Sequence, residues 1–282
     1  MNFFKRCIFI LILLSIFGCK SNKEVSKPDI ANDDIDALMI EAYKEGLREL
    51  ERGFATVAAR KFNEAELLYP QSIWAPRSSI MAAYAYYSQD LYQDSIDELN
   101  RFLITYPNHE REDYVYYLLA INYYEQIVNE KKDLGPILLA KKKFNIVRNK
   151  YPESDFALDA EYKLGLIEEI LASKEMYVAS YYLQKEKWIP AINRYKEIIE
   201  SYSTTIYVEE ALYRLVEIHY KLGLKEEAKK YASLLGYNYQ SSEWYLKSYK
   251  IFNKDYVEKS FEKKKKTKKS TLQKIKSLLD LK

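Results

Sequence analysis

Residues 83–107 read AYAYYSQDLYQDSIDELNRFLITYP, and this stretch decides the fold. Ala83 and Tyr86 share one helical face, and Ser95, Leu99 and Phe102 share another after a polar interruption. Spacings of three and four residues bring side chains together on a helix, so each set is an amphipathic stripe. Pro107 cannot continue a helix and closes the second stripe. The stretch therefore predicts two short antiparallel helices whose small residues, Ala83 and Ser95, let the backbones approach closely.

The same arrangement recurs outward in both directions. Tyr-Pro returns as Tyr69-Pro70, Tyr106-Pro107 and Tyr151-Pro152, 37 and 45 residues apart, with Tyr202-Ser203 in the same role. Gly46, Ala58, Phe62 and Ala65 precede Pro70, whereas Ala179, Tyr182, Ala191 and Tyr195 precede Ser203. A period near 34 residues with small, aromatic and proline positions in this order is that of a tetratricopeptide repeat. In the third unit Ala120 and Ala140 stand 20 apart instead of 12, and the surplus matches the polar stretch Asn129 to Pro136, read as an inserted loop. Between Pro152 and Ser203 the spacing is 51 residues, which predicts one extra helix from about Asp155 to Ser173. A fifth, weaker unit runs from about Tyr207 to Gln240, with Gly223 at its turn. The expected fold is all-α, a tetratricopeptide-repeat solenoid of about five helical hairpins with one extra helix and a concave binding surface.

Composition agrees with packed helices. The 282 residues are 48% hydrophobic and include 28 tyrosines but only 7 glycines and 7 prolines. The 44 basic and 41 acidic residues nearly cancel, which argues against a nucleic-acid binder. The two cysteines, Cys7 and Cys19, can build no disulfide framework or Cys-rich zinc site.

Before the repeats, Lys5 and Arg6 are followed by an apolar run of 11 residues, Cys7 to Phe17, broken only by Ser15. A bilayer span takes about 20 residues, so this run reads as the core of a secretory signal. Ile16-Phe17-Gly18-Cys19 resembles a bacterial lipobox, which would make Cys19 the lipid acceptor and first mature residue. An ordinary signal peptide followed by a coincidental cysteine is the alternative. Lys20, which is not aspartate, favours onward sorting to the outer membrane by the same resemblance. The expected organisation is a signal peptide at 1–18, a lipidated tether at 19–34, repeats one to three over 35–153, the extra helix at 154–173, repeats four and five over 174–240, and a basic extension at 241–282. In that extension seven lysines between Lys259 and Lys269 precede an apolar spacing from Leu272 to Leu281. It reads either as a solvated extension or as a contact for anionic lipid or an acidic partner.

Catalytic chemistry finds little support. His109 follows a Tyr-Pro-Asn turn and His219 occupies a repeat packing position. No His-Glu-x-x-His, Gly-x-Ser-x-Gly or glycine-rich phosphate loop is present. The paired carboxylates, such as Glu168-Glu169 and Glu226-Glu227, are adjacent and diverge by about 100° on a helix. The expectation is a non-enzymatic binding protein without cofactor or metal. Tyr84 and Tyr87 share a face that Tyr86 does not, and with Tyr69 and Trp74 they are candidates for gripping a mobile peptide, since aromatic side chains offer large contact area with few rotamers to freeze.

The order of these features resembles the BamD family, also called ComL, of outer-membrane assembly lipoproteins. The strings carrying the resemblance are Tyr69-Pro70, Ala83-Tyr84-Ala85-Tyr86-Tyr87, Arg101-Phe102, Tyr106-Pro107-Asn108-His109, Asp113-Tyr114-Val115-Tyr116-Tyr117, Tyr181-Tyr182 and Ala191-Ile192-Asn193-Arg194. The resemblance spans about residues 10 to 240, and the Lys-rich tail and Ser203 depart from the pattern. It implies a lipid-anchored protein on the periplasmic side of the outer membrane of a Gram-negative bacterium, and a subunit of the β-barrel assembly machinery. The implied partners are unfolded outer-membrane β-barrel proteins at the first repeats, near Tyr69, Trp74 and Tyr84, the periplasmic domain of a BamA-like insertase at the last repeats, and other assembly lipoproteins. Arg194 is implied to be an insertase contact, against the alternative of a surface arginine paired along its own helix with Glu197 or Glu200. Another tetratricopeptide lipoprotein, for envelope or pilus assembly, is the second functional reading, and a lipoprotein hydrolase the third.

Overall fold

A computed structural model describes residues 32–127 and 134–253. Among them are eleven helices and no strands: α1 (Asn32–Glu51), α2 (Ala55–Leu68), α3 (Trp74–Tyr87), α4 (Tyr92–Thr105), α5 (Glu112–Glu125), α6 (Gly135–Lys150), α7 (Ala157–Gln184), α8 (Trp188–Ser201), α9 (Val208–Lys221), α10 (Lys225–Asn238) and α11 (Glu243–Phe252). Five consecutive pairs form hairpins, each packed on its neighbours along the chain, and α11 closes the array against α9 and α10. This is the tetratricopeptide-repeat solenoid, in which contacts stay local in sequence.

The small residues lie where helices touch. Ala58, Ala65, Ala83, Ser95, Ala120, Ala140, Ala179 and Ala191 are all fully buried. Between them the wedges Phe62, Leu99, Phe144 and Tyr195 are also fully buried and define successive core clusters. Gly46 shows how tight the approach is, because a Cβ there would sit 2.7 Å from Cε1 of Phe62. Gly46→Ala is expected to cost about 1–3 kcal/mol through overpacking, since the buried ring has nowhere to move. Urea unfolding checks this, and an unchanged midpoint would mean that α1 and α2 do not approach so closely in solution.

Every hairpin ends alike. Tyr69, Tyr106, Tyr151, Tyr202 and Tyr239 follow α2, α4, α6, α8 and α10 with extended φ between −143° and −124°. Four of their carbonyls accept a turn bond from the amide three residues on, at Ser72, Ser154, Thr205 and Ser242. The tyrosine and the turn recur without proline in repeats four and five, so proline is a convenience of this turn. Within the hairpins, Gly53, Asp90, Glu186 and Gly223 take positive φ of 55° to 80° at the equivalent bend.

Two tyrosine hydroxyls at these ends donate to buried carboxylates. Tyr106 donates to Glu66 at 2.7 Å, and Tyr151 donates to Glu112 at 2.5 Å. Burial pushes the Glu112 carboxyl up, but hydrogen bonds from Lys150, Tyr151 and the Asn108 amide outweigh it and hold the group below its ordinary value. Its contribution to stability is therefore present above the ordinary carboxylate range and fades as pH falls through the lowered value.

Three boundaries differ from the sequence expectation. The extra helix expected at 154–173 and the first helix of repeat four expected from 174 are one continuous helix, α7, of 28 residues. Gly165 alone does not stop it: isolated glycine costs only about 1 kcal/mol in a helix interior. The N-terminal half of α7 packs Ala160, Leu164, Ile167 and Leu171 with α6, and its C-terminal half packs Met176 and Ala179 with α8, so one rod joins two cores. The basic extension expected at 241–282 begins with α11, whose start is capped by Ser242 Oγ accepting from the amides of Trp244 and Tyr245 at 3.1 and 3.4 Å. At the other end α1 begins at Asn32, inside the expected tether. Cys19, the signal segment, the Lys-rich tail and most of the 129–136 loop lie outside the described residues.

Candidate binding groove

The first helices of the hairpins line a groove. Its larger part is a cavity of about 860 Å3 walled by α1, α3 and the start of α5, with Tyr43, Ile73, Ile80 and Met81 as apolar lining and Arg77 and Arg111 at its edge. Arg77 lies over the Trp74 ring at 5.4 Å and Arg111 over the Tyr114 ring at 6.0 Å. Neither guanidinium has a carboxylate partner among the described residues. His109 also lines this cavity, packs edge-on against Phe102 at 5.5 Å and accepts at Nδ1 from the Arg111 amide at 3.1 Å.

Tyr114 lines both this cavity and a second one of about 360 Å3, so the two adjoin at that ring. The second is walled by Tyr84 and Tyr87 of α3, Tyr114, Tyr117 and Glu125 of α5, and Asp159 of α7. Spacings of three residues on adjacent first helices set these four rings side by side. Tyr84 and Tyr87 lie 6.2 Å apart, and Phe156 supports Tyr114 and Tyr117 from behind at 5.2 and 4.9 Å. Tyr117 donates to Asp159 Oδ2 at 2.8 Å. Burial, with a smaller push from Tyr84, raises the Tyr114 phenol to about 12, so it stays a neutral hydrogen-bond donor at ordinary pH.

Of the residues expected to bind peptide, Tyr84 stands in the wall of the second cavity and is 38% exposed. Tyr69 and Trp74 lie behind the groove, packed with Met39, Ala42 and Ala65. The Trp74 indole meets Tyr43 edge-on at 5.2 Å, so it braces a wall residue without lining the cavity. Tyr43, Arg77, Arg111, Tyr114, Tyr117 and Asp159 were not singled out from the sequence as groove residues. The repeated Tyr-x-x-Tyr of 84–87 and 114–117 was the available signal.

Arg194, on α8, bonds Glu175 of α7 at 3.0 and 3.3 Å instead of pairing along its own helix with Glu197 or Glu200. That pair is reached across a hairpin, which spacing within one helix could not reveal. His219 is buried, with Nδ1 at 2.8 Å from the Leu215 carbonyl and its ring 5.2 Å from Tyr231. Among the described residues no group of three His, Cys, Asp or Glu side chains could hold a metal, and no helix is long and apolar enough to cross a membrane.

The chain is similar to curated proteins over most of its length. An outer membrane protein assembly factor BamD from Rickettsia prowazekii is 37% identical over 242 residues, 86% of this chain and 94% of its own. One from Caulobacter vibrioides is 35% identical over 86% of this chain and 79% of its own. Among solved structures, a tetratricopeptide repeat protein from Parabacteroides merdae aligns over 77% of this chain and 74% of its own, at 14% identity and a TM-score of 0.37. The YfiO family, described as outer membrane lipoprotein, matches residues 35–234. On that match, and on an identity above one third across most of both chains, the protein belongs to the YfiO family, that of the outer membrane protein assembly factor BamD.

Proposed function

We propose that this chain is a non-catalytic lipoprotein subunit of the machinery that assembles β-barrel proteins into the outer membrane. The observation that carries this reading is the 37% identity, over 86% of the chain, to a protein named as an outer membrane protein assembly factor. The groove of the first repeats receives extended segments of unfolded barrel proteins, whose side chains can seat between aromatic faces. The last repeats dock on the periplasmic domain of a BamA-like insertase, beside other assembly lipoproteins, and a lipid on Cys19 holds the chain at the periplasmic face of the outer membrane. Photo-crosslinking tests the polarity: a benzophenone at position 84 should capture a peptide ending in a barrel's last strand, and one at position 237 should not. Capture only in repeats four and five overturns the assignment.

Arg194 is the proposed insertase contact. Arg194 is 47% exposed, though Glu175 is only 16% exposed, so water can take over much of the arginine's role and Arg194→Ala should change stability by about 1 kcal/mol. A desolvated arginine at an interface is different, because its loss strands the partner's charge at a cost of about 2–5 kcal/mol. Association with the insertase should therefore weaken by about tenfold or more in the variant. Equal affinity at low salt would reduce Arg194 to an intramolecular tie.

A further inference from the structure

We propose that the cavity formed by Tyr84, Tyr87, Tyr114, Tyr117, Glu125 and Asp159 is a cation-selective subsite that seats one arginine side chain of a bound extended peptide. This rests on the reading that the groove takes peptides, and it adds what one place in the groove selects.

Three observations converge on a cation. Aromatic faces attract a guanidinium or ammonium through their quadrupole, and arginine also stacks on them as a planar group. Four phenol rings surround this cavity, two held in place by Phe156. Glu125 is exposed, lines the cavity and has no hydrogen-bond or ion-pair partner among the described residues, while Asp159 spends one oxygen on Tyr117. The same chemistry is present beside the cavity: Lys163, which lines it, holds its ammonium 4.6 Å from the centroid of the neighbouring Tyr124.

Size and charge fix the occupant. A cavity of about 360 Å3 is too small for a folded element and large enough for one long side chain. Its two carboxylates against one ammonium leave the site net negative, in contrast to the larger cavity, where Arg77 and Arg111 outnumber Glu110. An arginine matches the geometry better than a lysine because its plane stacks and its fork can reach a carboxylate at the same time. Lys163 then acts as an internal competitor for the same field.

The test uses the full chain and two fluorescent peptides of alternating apolar residues, identical except that one arginine is replaced by its uncharged isostere citrulline. Anisotropy should show the arginine peptide binding the parent about tenfold more tightly, the scale of a cation–π contact combined with one carboxylate. Glu125→Gln and Tyr84→Leu should each shrink that ratio at least threefold, Tyr84→Phe should keep it, and Lys163→Met should enlarge it. Glu125 is exposed and Tyr84 is 38% exposed, so these variants should melt with the parent. Equal affinity of the two peptides for the parent overturns the subsite while leaving the peptide groove standing. Failure of both peptides to bind overturns the groove reading and the subsite with it.

Discussion

Arg101→Ala should destabilise the protein by about 3 kcal/mol. Arg101 Nη1 and Nη2 grip both oxygens of Glu66 at 2.9 and 2.6 Å, and Nε reaches Glu98 at 2.8 Å. Glu66 is only 6% exposed, and its other visible donor is the Tyr106 hydroxyl. The guanidinium therefore joins α2 to α4, touches Ser79 of α3 at 3.1 Å, and completes the first inter-repeat junction. Removing one partner of a buried pair strands the other charge, which typically costs about 3–5 kcal/mol. The lower end applies because Arg101 is itself 41% exposed, so water can partly replace it. For a chain of this size the melting temperature should fall by about 6–12 °C. The stranded charge, and not the lost contact area, is the cause if Glu66→Gln in the Arg101→Ala background restores about half of the loss. A melting temperature within 2 °C of the parent would show that the pair contributes nothing.

The helical hairpins could be read from single residues because close helix packing leaves few choices. Ala58, Ala83, Ala120 and Ala179 recur where a larger side chain would hold two backbones apart, and all four are fully buried. What escaped the sequence depends on relations between hairpins. A 17-residue surplus looks the same whether it forms its own helix or lengthens the next one, and only the absence of a stop between Ala157 and Gln184 decides for the latter. Tyr84 lines the second cavity while Tyr69 and Trp74 pack with Met39, Ala42 and Ala65, because which ring faces the groove depends on how α1, α3 and α5 are stacked. Arg194 had acidic neighbours at the right helical spacing, but its carboxylate comes from α7, 19 residues back. In α11, by contrast, the signal is local, since Ser242 before Glu243 and Trp244 is an ordinary helix start.

Cys19→Ala should abolish fatty-acid incorporation and release the chain from washed membranes. Only two cysteines exist, and Cys7 lies inside the apolar run that would be removed with the signal. Among the described residues no helix is long and apolar enough to cross a membrane. Each acyl methylene contributes about 0.8 kcal/mol of membrane affinity, so losing several chains removes the whole of a stable attachment and not a fraction of it. Two weaker attachments could mask the loss at low salt. Each lysine of the 259–269 cluster is worth about 1 kcal/mol beside an anionic surface, and docking on the insertase would also retain the chain. The lysine contribution is electrostatic and is screened at high ionic strength, where the Debye length falls to about 3 Å at 1 M salt. Washing in 1 M salt, in cells depleted of the insertase, should leave the parent in the membrane fraction and release the variant. Radioactive palmitate that still labels Cys19→Ala would sink the lipobox reading, and label lost without release would move the anchor to another part of the chain.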